Sequence, residues 1–82
     1  MPSREQILNL MDELIRYQQN KVMELARRLN PNLTEEDIRN PQDFPELTEN
    51  RTFQFEDGIL AGYRSARVAL TAEMNRLENG NP

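Results

Sequence analysis

Apolar side chains recur every three or four residues along two long stretches of the chain. In the first stretch, the repeated positions are Ile7, Met11, Leu14, Gln18, Val22, Leu25 and Leu29. In the second stretch, they are Phe55, Ile59, Tyr63, Ala66, Leu70, Met74 and Leu77. This spacing places each set on one face of an α-helix, whereas a β-strand would divide it between two faces. The pattern predicts an all-α protein built on two long amphipathic helices.

Residues at both ends of the first stretch set the limits of its helix. Ser3 and Gln6 have the spacing of an N-terminal capping box, in which each side chain bonds the other residue's amide. Asn30 precedes Pro31, and a residue before proline avoids the helical conformation. The first helix is therefore predicted over residues 4–29.

The second helix has one strong signal at its end and several candidate capping residues near its start. Gly80 follows the last apolar position and suits the left-handed conformation that terminates many helices. Several residues within 46–52 could cap the other end of the helix. We predict a helix over residues 51–79, antiparallel to the first.

The connection between the helices, residues 30–50, differs sharply in composition. It holds three prolines, and Thr34 begins a sequence typical of one short helix over residues 35–39. Because long connections without structure are uncommon in compact domains, we expect an ordered lid over the mouth of the hairpin. Its predicted contacts are made by Leu33, Ile38, Phe44 and Leu47. A mobile or partner-binding loop is the alternative.

Length and composition favour association. The chain has 82 residues, which is enough for one helical domain over residues 1–82, and it contains no cysteine and no histidine. A domain of this size often needs a disulfide, a metal or a partner chain to be stable. Disulfides are excluded, and the commonest metal ligand is missing. We therefore expect a homodimer in which two hairpins complete a four-helix bundle through their second apolar faces.

Negative charge is concentrated in the connection and the start of the second helix. Residues 35–57 hold eight acidic side chains and two arginines, whereas the whole chain has a formal net charge of −4. Nucleic-acid binding is dominated by neutralisation of phosphates, so we expect no nucleic-acid partner. The acidic side chains instead indicate a surface for a protein partner, with the candidates Glu35, Glu36, Asp37 and Asp43.

Hydropathy argues against a membrane location. The first residues lack the apolar core of a signal peptide, and no apolar run approaches the ~20 residues that span a bilayer. We expect a cytoplasmic protein that does not associate with membranes.

A row of small residues runs along the second predicted helix. Gly58, Gly62 and Ala66 are four residues apart and therefore lie on one side of the helix. Glycine within a helix is unfavourable relative to alanine, so a compensating contact is expected. We predict close helix packing within the hairpin or the dimer. A site approached by a ligand or partner, or a kink, is the alternative.

Polar residues interrupt both apolar faces near their centres. Gln18 interrupts the first, and Arg67 interrupts an alternative heptad frame of the second. These residues, with Tyr63 and Arg64, are candidates for a polar layer that fixes register, as polar core positions do in coiled coils. Arg67 could instead extend its charged group to solvent. A site for an anionic small molecule is the third interpretation.

The residues required for catalysis and for metal binding are largely missing. Without cysteine or histidine, a serine nucleophile has no usual activating base, and a carboxylate di-metal bundle lacks its histidines. We expect no catalytic residues, no metal and no cofactor. The sequence favours a non-enzymatic interaction or scaffold protein, and a small regulatory module that binds an anion is the alternative.

Overall fold

The computed structural model describes residues 3–80, which form helices joined by short turns. In chain order the helices are α1 (Arg4–Leu29), α2 (Glu35–Arg39), α3 (Pro45–Thr48) and α4 (Arg51–Glu78). The long helices α1 and α4 contact each other as an antiparallel pair, and the molecule measures 48 × 20 × 20 Å. The predicted all-α class is confirmed. Residues 1–2 and 81–82 of the predicted domain lie outside the described residues.

The ends of the long helices are capped by their own side chains. The Ser3 hydroxyl accepts a hydrogen bond from the Gln6 amide at 3.1 Å, and the Ser3 amide donates to Gln6 Oε1 at 2.7 Å. The side chain of Asn50 accepts from the Phe53 amide at 2.8 Å, which places the start of α4 at residue 51. Gly80 has a φ of +68°, the left-handed conformation expected after the helix.

The connection contains more helix than the sequence predicted. The expected short helix is α2, which begins with a second capping box formed by Thr34 and Asp37. A 3₁₀ turn at Pro41–Asp43 and the single turn α3 follow it, and each of these begins with a proline. Proline favours the first position of a helix because it has no amide hydrogen to leave unsatisfied. The prolines therefore start turns in this segment and do not leave it unstructured.

The connection packs onto the helix pair as a lid. Leu33, Ile38 and Leu47 are buried, and Phe44 packs against them from a half-buried position. Their partners on the long helices are the buried side chains of Val22, Ala26, Phe53 and Leu60. Apolar side chains in mutual contact of this kind form the core of a small domain. The expected ordered lid is confirmed.

Burial is confined to one half of the hairpin. Every buried side chain of the described chain belongs to residues 18–60, here called the lid half. Residues 3–17 and 61–80, here called the open half, contain half-buried and exposed side chains. Two helices in contact bury only their facing edges, whereas the lid adds a third element at the other end.

None of the helices in residues 3–80 combines the length and the apolar character that crossing a bilayer requires.

Candidate interaction surface

A buried polar cluster joins the two long helices in the lid half. Gln18 Nε2 donates to both the backbone oxygen and the Oε1 atom of Glu56, each at 2.8 Å. Lys21 Nζ lies 3.2 Å from Glu56 Oε2. The hydrogen bond from Gln18 and then that from Lys21 hold the pKa of the Glu56 carboxyl below its ordinary value. This cluster sets the register of α1 against α4.

A second polar pair crosses between the helices in the open half. Arg67 donates from Nε to Asp12 Oδ1 at 2.5 Å and from Nη2 to Oδ2 at 3.2 Å. This two-pronged bond lowers the pKa of the Asp12 carboxyl and raises the pKa of the guanidinium. Both side chains are more than a third exposed, so the pair contributes more to alignment than to stability.

The predicted single polar layer is therefore two layers with different partners. Gln18 and Arg67 do not meet, because Gln18 contacts Glu56 and Arg67 contacts Asp12. Six residues of α1, about 9 Å, and eleven residues of α4, about 17 Å, separate the two contacts. The sequence could not predict this register, since it depends on which face of α4 turns inward.

The remaining residues of the proposed anion site, Tyr63 and Arg64, differ in their exposure. Tyr63 is half-buried, whereas Arg64 is exposed and lines a groove together with residues of α2. Burial raises the pKa of the Asp57 carboxyl, and the positive charge of Arg64 acts in the opposite direction. Arg67 is already neutralised by Asp12. Arg64 and Arg67 thus line different hollows of the surface, and anion binding at these residues stays a prediction.

The inward face of α4 differs from the face that its apolar repeat predicted. Phe53 is completely buried and Leu60 is nearly so, whereas Phe55 is 67% exposed. The buried set follows the alternative frame, with Glu56 and Leu60 continuing from Phe53 at steps of three and four. The interpretation of Phe55 as a core position is wrong. Phe53 was the available signal, since it lies seven residues before Leu60.

The glycine row faces open space. Gly58 and Gly62 are exposed, and an added Cβ atom at either position would meet no other atom within 4 Å in the described chain. Ala66, the next member of the row, is also exposed. Close packing of this row within the hairpin is therefore not observed. Packing against a second chain stays a prediction.

Large apolar side chains are exposed along one side of the hairpin. On α1, Leu10, Leu14 and Tyr17 follow steps of four and three residues and so form one stripe. The exposed apolar residues of α4 on the matching flank are Phe55, Leu70 and Leu77. These six residues are here called the open face. Val68, also 70% exposed, lies on another side of α4.

Two surface depressions identify the sides of the hairpin. Tyr17 of the open face lines a shallow hollow of about 400 Å³ together with Thr52 of α4, so both stripes border the same side. On the opposite side, a groove of about 170 Å³ includes Ile38 and Arg39 of α2. The lid therefore covers one side of the helix pair and leaves the open face bare. Large exposed apolar patches are typical of interaction sites.

The predicted acidic partner surface lies on the outside of the lid. Glu35 is exposed and lies 3.5 Å from Arg39, while Asp37 caps the amide of Thr34 at 3.0 Å. Glu36 and Asp43 are exposed. Part of this charge thus stabilises the start of α2, because carboxylates favour helix N-termini. Its use by a protein partner stays a prediction.

No group of three or more acidic side chains within residues 3–80 is arranged to hold a metal ion. Within the same residues, every buried side-chain nitrogen and oxygen has a hydrogen-bond partner. Comparisons of the chain with protein families, with curated proteins and with solved structures find no match.

Proposed function

We propose that this chain is a non-enzymatic interaction protein that works as a homodimer, with its four long helices forming a bundle through the two open faces. In this arrangement each open face is the second apolar surface of the other chain. The acidic side of the lid remains at the ends of the bundle, where a protein partner can reach it. The central function is association.

The exposed area carries this proposal. The chain exposes 5982 Å², whereas a folded monomer of 9.6 kDa is expected to expose about 5,100 Å². The excess of about 900 Å² is close to the ~800 Å² that each partner buries in a protein–protein interface of standard size. Docking of one further chain would therefore bring the exposed area to the value expected for a compact protein.

The chemistry of the open face fits an apolar partner better than a polar ligand. Leu10 is 57% exposed, Phe55 67% and Tyr17 70%, so each would bury a large part of its surface on docking. Burial of apolar area is the main favourable contribution to association. The polar groups beneath this face are already paired, as in the cluster of Gln18 and Glu56.

Light scattering at graded concentrations tests the dimer, and two glutamate variants test the face. Leu10→Glu introduces a charge into the open face and is expected to leave a folded monomer at micromolar concentration. Val68→Glu is the matched control, since it charges an apolar position that is 70% exposed, against 57% for Leu10, and that lies on α4 outside the open face. Circular dichroism checks that both variants keep their helices.

The expected result is a dimer for the natural chain and for Val68→Glu, and a monomer for Leu10→Glu. A natural chain that stays monomeric at about 100 μM would contradict the proposal, because a standard-size interface normally binds more tightly than that. Equal dissociation of the two glutamate variants would show that the open face is not the interface.

A further inference from the structure

The outer surface of α4 carries opposite charges placed symmetrically about Gly62. Arg51 precedes Gly62 by 11 residues, and Glu73, which also pairs with Arg76 of its own helix, follows it by 11 residues. Between them, the same side of the helix presents only uncharged residues at steps of three and four, namely Phe55, Gly58, Gly62, Ala66 and Ala69. Such a surface is complementary to a copy of itself running in the opposite direction.

We infer that the second copy docks antiparallel, about a two-fold axis that passes at the level of Gly62. This inference rests on the proposed dimer and adds its direction and register. Helix α4 of one chain then lies along α4 of the other, and Arg51 of each chain comes level with Glu73 of the second copy. A parallel arrangement would instead bring like charges together, which favours the antiparallel one.

The sizes of the side chains support the same register. An antiparallel alignment about Gly62 places the large Phe55 opposite the small Ala69, and Gly58 opposite Ala66. Alternation of large and small side chains lets facing helices interdigitate. A parallel alignment would place Phe55 opposite itself, whereas the small residues near Gly62 face small residues in either direction.

The position of the α1 stripe gives an independent indication of the same level. The contacts between Asp12 and Arg67 and between Gln18 and Glu56 fix how α1 lies against α4. Gly62 lies near the middle of the α4 segment from Glu56 to Arg67, and so it lies near the level of the α1 residues midway between Asp12 and Gln18. Exposed side chains of α1 are centred close to this level, at Leu10, Leu14 and Tyr17.

A two-fold axis at the level of Gly62 therefore brings both α1 and α4 against their own copies in the second chain. It places the exposed stripe of α1 against the same stripe of the second copy, as a self-complementary interface requires. It also brings the bare backbone at Gly58 and Gly62 towards a neighbouring helix. Glycine is favoured where a backbone must approach closely, and the described chain makes no use of the open space at these positions.

Engineered cysteines test the axis directly, because the natural chain has none. A residue on a two-fold axis meets its own copy, so Gly62→Cys is expected to form a disulfide-linked dimer under mild oxidation. Ala61→Cys is the matched control, since it is exposed one residue away in the groove on the opposite side. The expected rate of cross-linking is at least about tenfold higher for Gly62→Cys, because disulfides require Cα atoms closer than ~7 Å.

A mixed experiment tests the direction. When Gly58→Cys and Ala66→Cys chains are combined, the antiparallel register predicts more linked heterodimer than either chain forms with itself. Preferential linking of Gly58→Cys to its own copy would indicate parallel helices and overturn the inference.

Charge exchange gives a test that leaves position 62 unaltered. Arg51→Glu and Glu73→Arg are each expected to weaken the dimer roughly threefold to tenfold, because each creates like-charge pairs at two symmetric places. Glu73→Arg also removes the ion pair with Arg76 within α4, so circular dichroism checks that this variant keeps its helices. The double variant restores opposite charges and is expected to recover most of the affinity. Additive weakening in the double variant would contradict the register.

These outcomes separate the two proposals. If light scattering shows a dimer but Gly62→Cys links no faster than Ala61→Cys, the inferred axis is wrong and the dimer stands. If the natural chain is monomeric at all concentrations, both fail.

Discussion

The lid half and the open half of this hairpin are built from the same two helices, and yet only the lid half has a buried core. In the lid half, Leu47 and Phe53 are completely buried, because the connection adds a third surface to the helix pair. In the open half, the facing apolar side chains remain half-buried. A pair of helices supplies only two surfaces, and each helix keeps most of its circumference in water.

The polar contacts differ between the halves in the same way. Gln18 and Glu56 bond each other where both residues are at least nine-tenths buried. In the open half, Asp12 bonds Arg67 and Arg4 bonds Glu78, with side chains between 35% and 53% exposed. Exposed ion pairs contribute little to stability, whereas buried and satisfied ones fix a unique arrangement. The open half is therefore aligned by its charges but weakly stabilised by them.

The comparison indicates that a small two-helix protein needs a third packing surface to form a buried core. One end of the hairpin obtains its third layer from its own chain. We propose that a second chain supplies a further layer along the open face, and that the open face is bare for this reason. Changes at buried positions of the lid half are therefore expected to alter stability at any concentration, whereas changes on the open face are expected to act through association.

The sharpest test of this contrast uses two phenylalanines on the same turn of α4. Phe53→Ala is expected to lower the free energy of unfolding by about 3–5 kcal/mol, because it empties a fully buried site. Phe55→Ala removes the same atoms from a side chain that is 67% exposed, and at concentrations where the chain is monomeric the expected change is below about 0.5 kcal/mol. Urea unfolding monitored by circular dichroism measures both. Similar losses in the two variants would contradict the assignment of the inward face.

A smaller effect is expected at two adjacent glutamines of α1. Gln18→Ala removes both hydrogen bonds to Glu56 and leaves their acceptors in a buried place, so the melting temperature should fall by about 4–8 °C. Gln19→Ala is the control, since Gln19 makes only a long 3.5 Å contact to Glu35 at the surface. Calorimetry at one protein concentration separates the two. An unchanged melting temperature for Gln18→Ala would show that the two hydrogen bonds to Glu56 do not stabilise the pairing of α1 with α4.

The smallest expected effect concerns pH and separates two neighbouring carboxyls. The pKa of Glu56 is lowered in the folded chain, so its contribution to stability is present above the ordinary value of 4.5 and is lost as the pH falls through the lower folded value. The pKa of Asp57 is raised by burial, so protonation of Asp57 in acid adds stability. Melting temperatures followed from pH 7 to about pH 2 should therefore show opposite changes in two variants.

Glu56→Gln is expected to make the loss of stability in acid shallower, because it removes the carboxyl whose pKa is lowered in the folded chain. Asp57→Asn is expected to make the loss of stability in acid steeper, because it removes the carboxyl whose protonation adds stability. The changes in melting temperature should amount to a few degrees. Two variants that shift the acid profile in the same direction would show that burial does not govern Asp57.

Local patterns predicted the helices well because the forces that form them are local. Ser3 and Gln6 are three residues apart, and Asn30 adjoins Pro31, so the limits of α1 depend on neighbours in the sequence. The terminating conformation of Gly80 has the same origin. The apolar spacing of the lid was also sufficient to predict that Leu33, Ile38 and Leu47 turn inward, since few other apolar residues are available there.

The face of α4 that turns inward was harder to predict, because two apolar frames share this helix. Phe55 heads one frame, whereas the other frame runs through Leu60 and Arg67, and in the structure it extends back to Phe53. Local periodicity cannot choose between them. The structure selects the frame that contains Glu56, because Gln18 and Lys21 satisfy its carboxylate at the level where the lid closes.

The sequence by itself determined that this chain is helical, where its long helices begin and end, and that its connection is an ordered lid. These properties follow from contacts between residues near one another along the chain. The tertiary structure alone decided the register, the partners of Gln18 and Arg67, and the side of the hairpin that stays bare. Those properties depend on how two helices rotate against each other, and long-range packing with a few buried polar bonds settles that rotation.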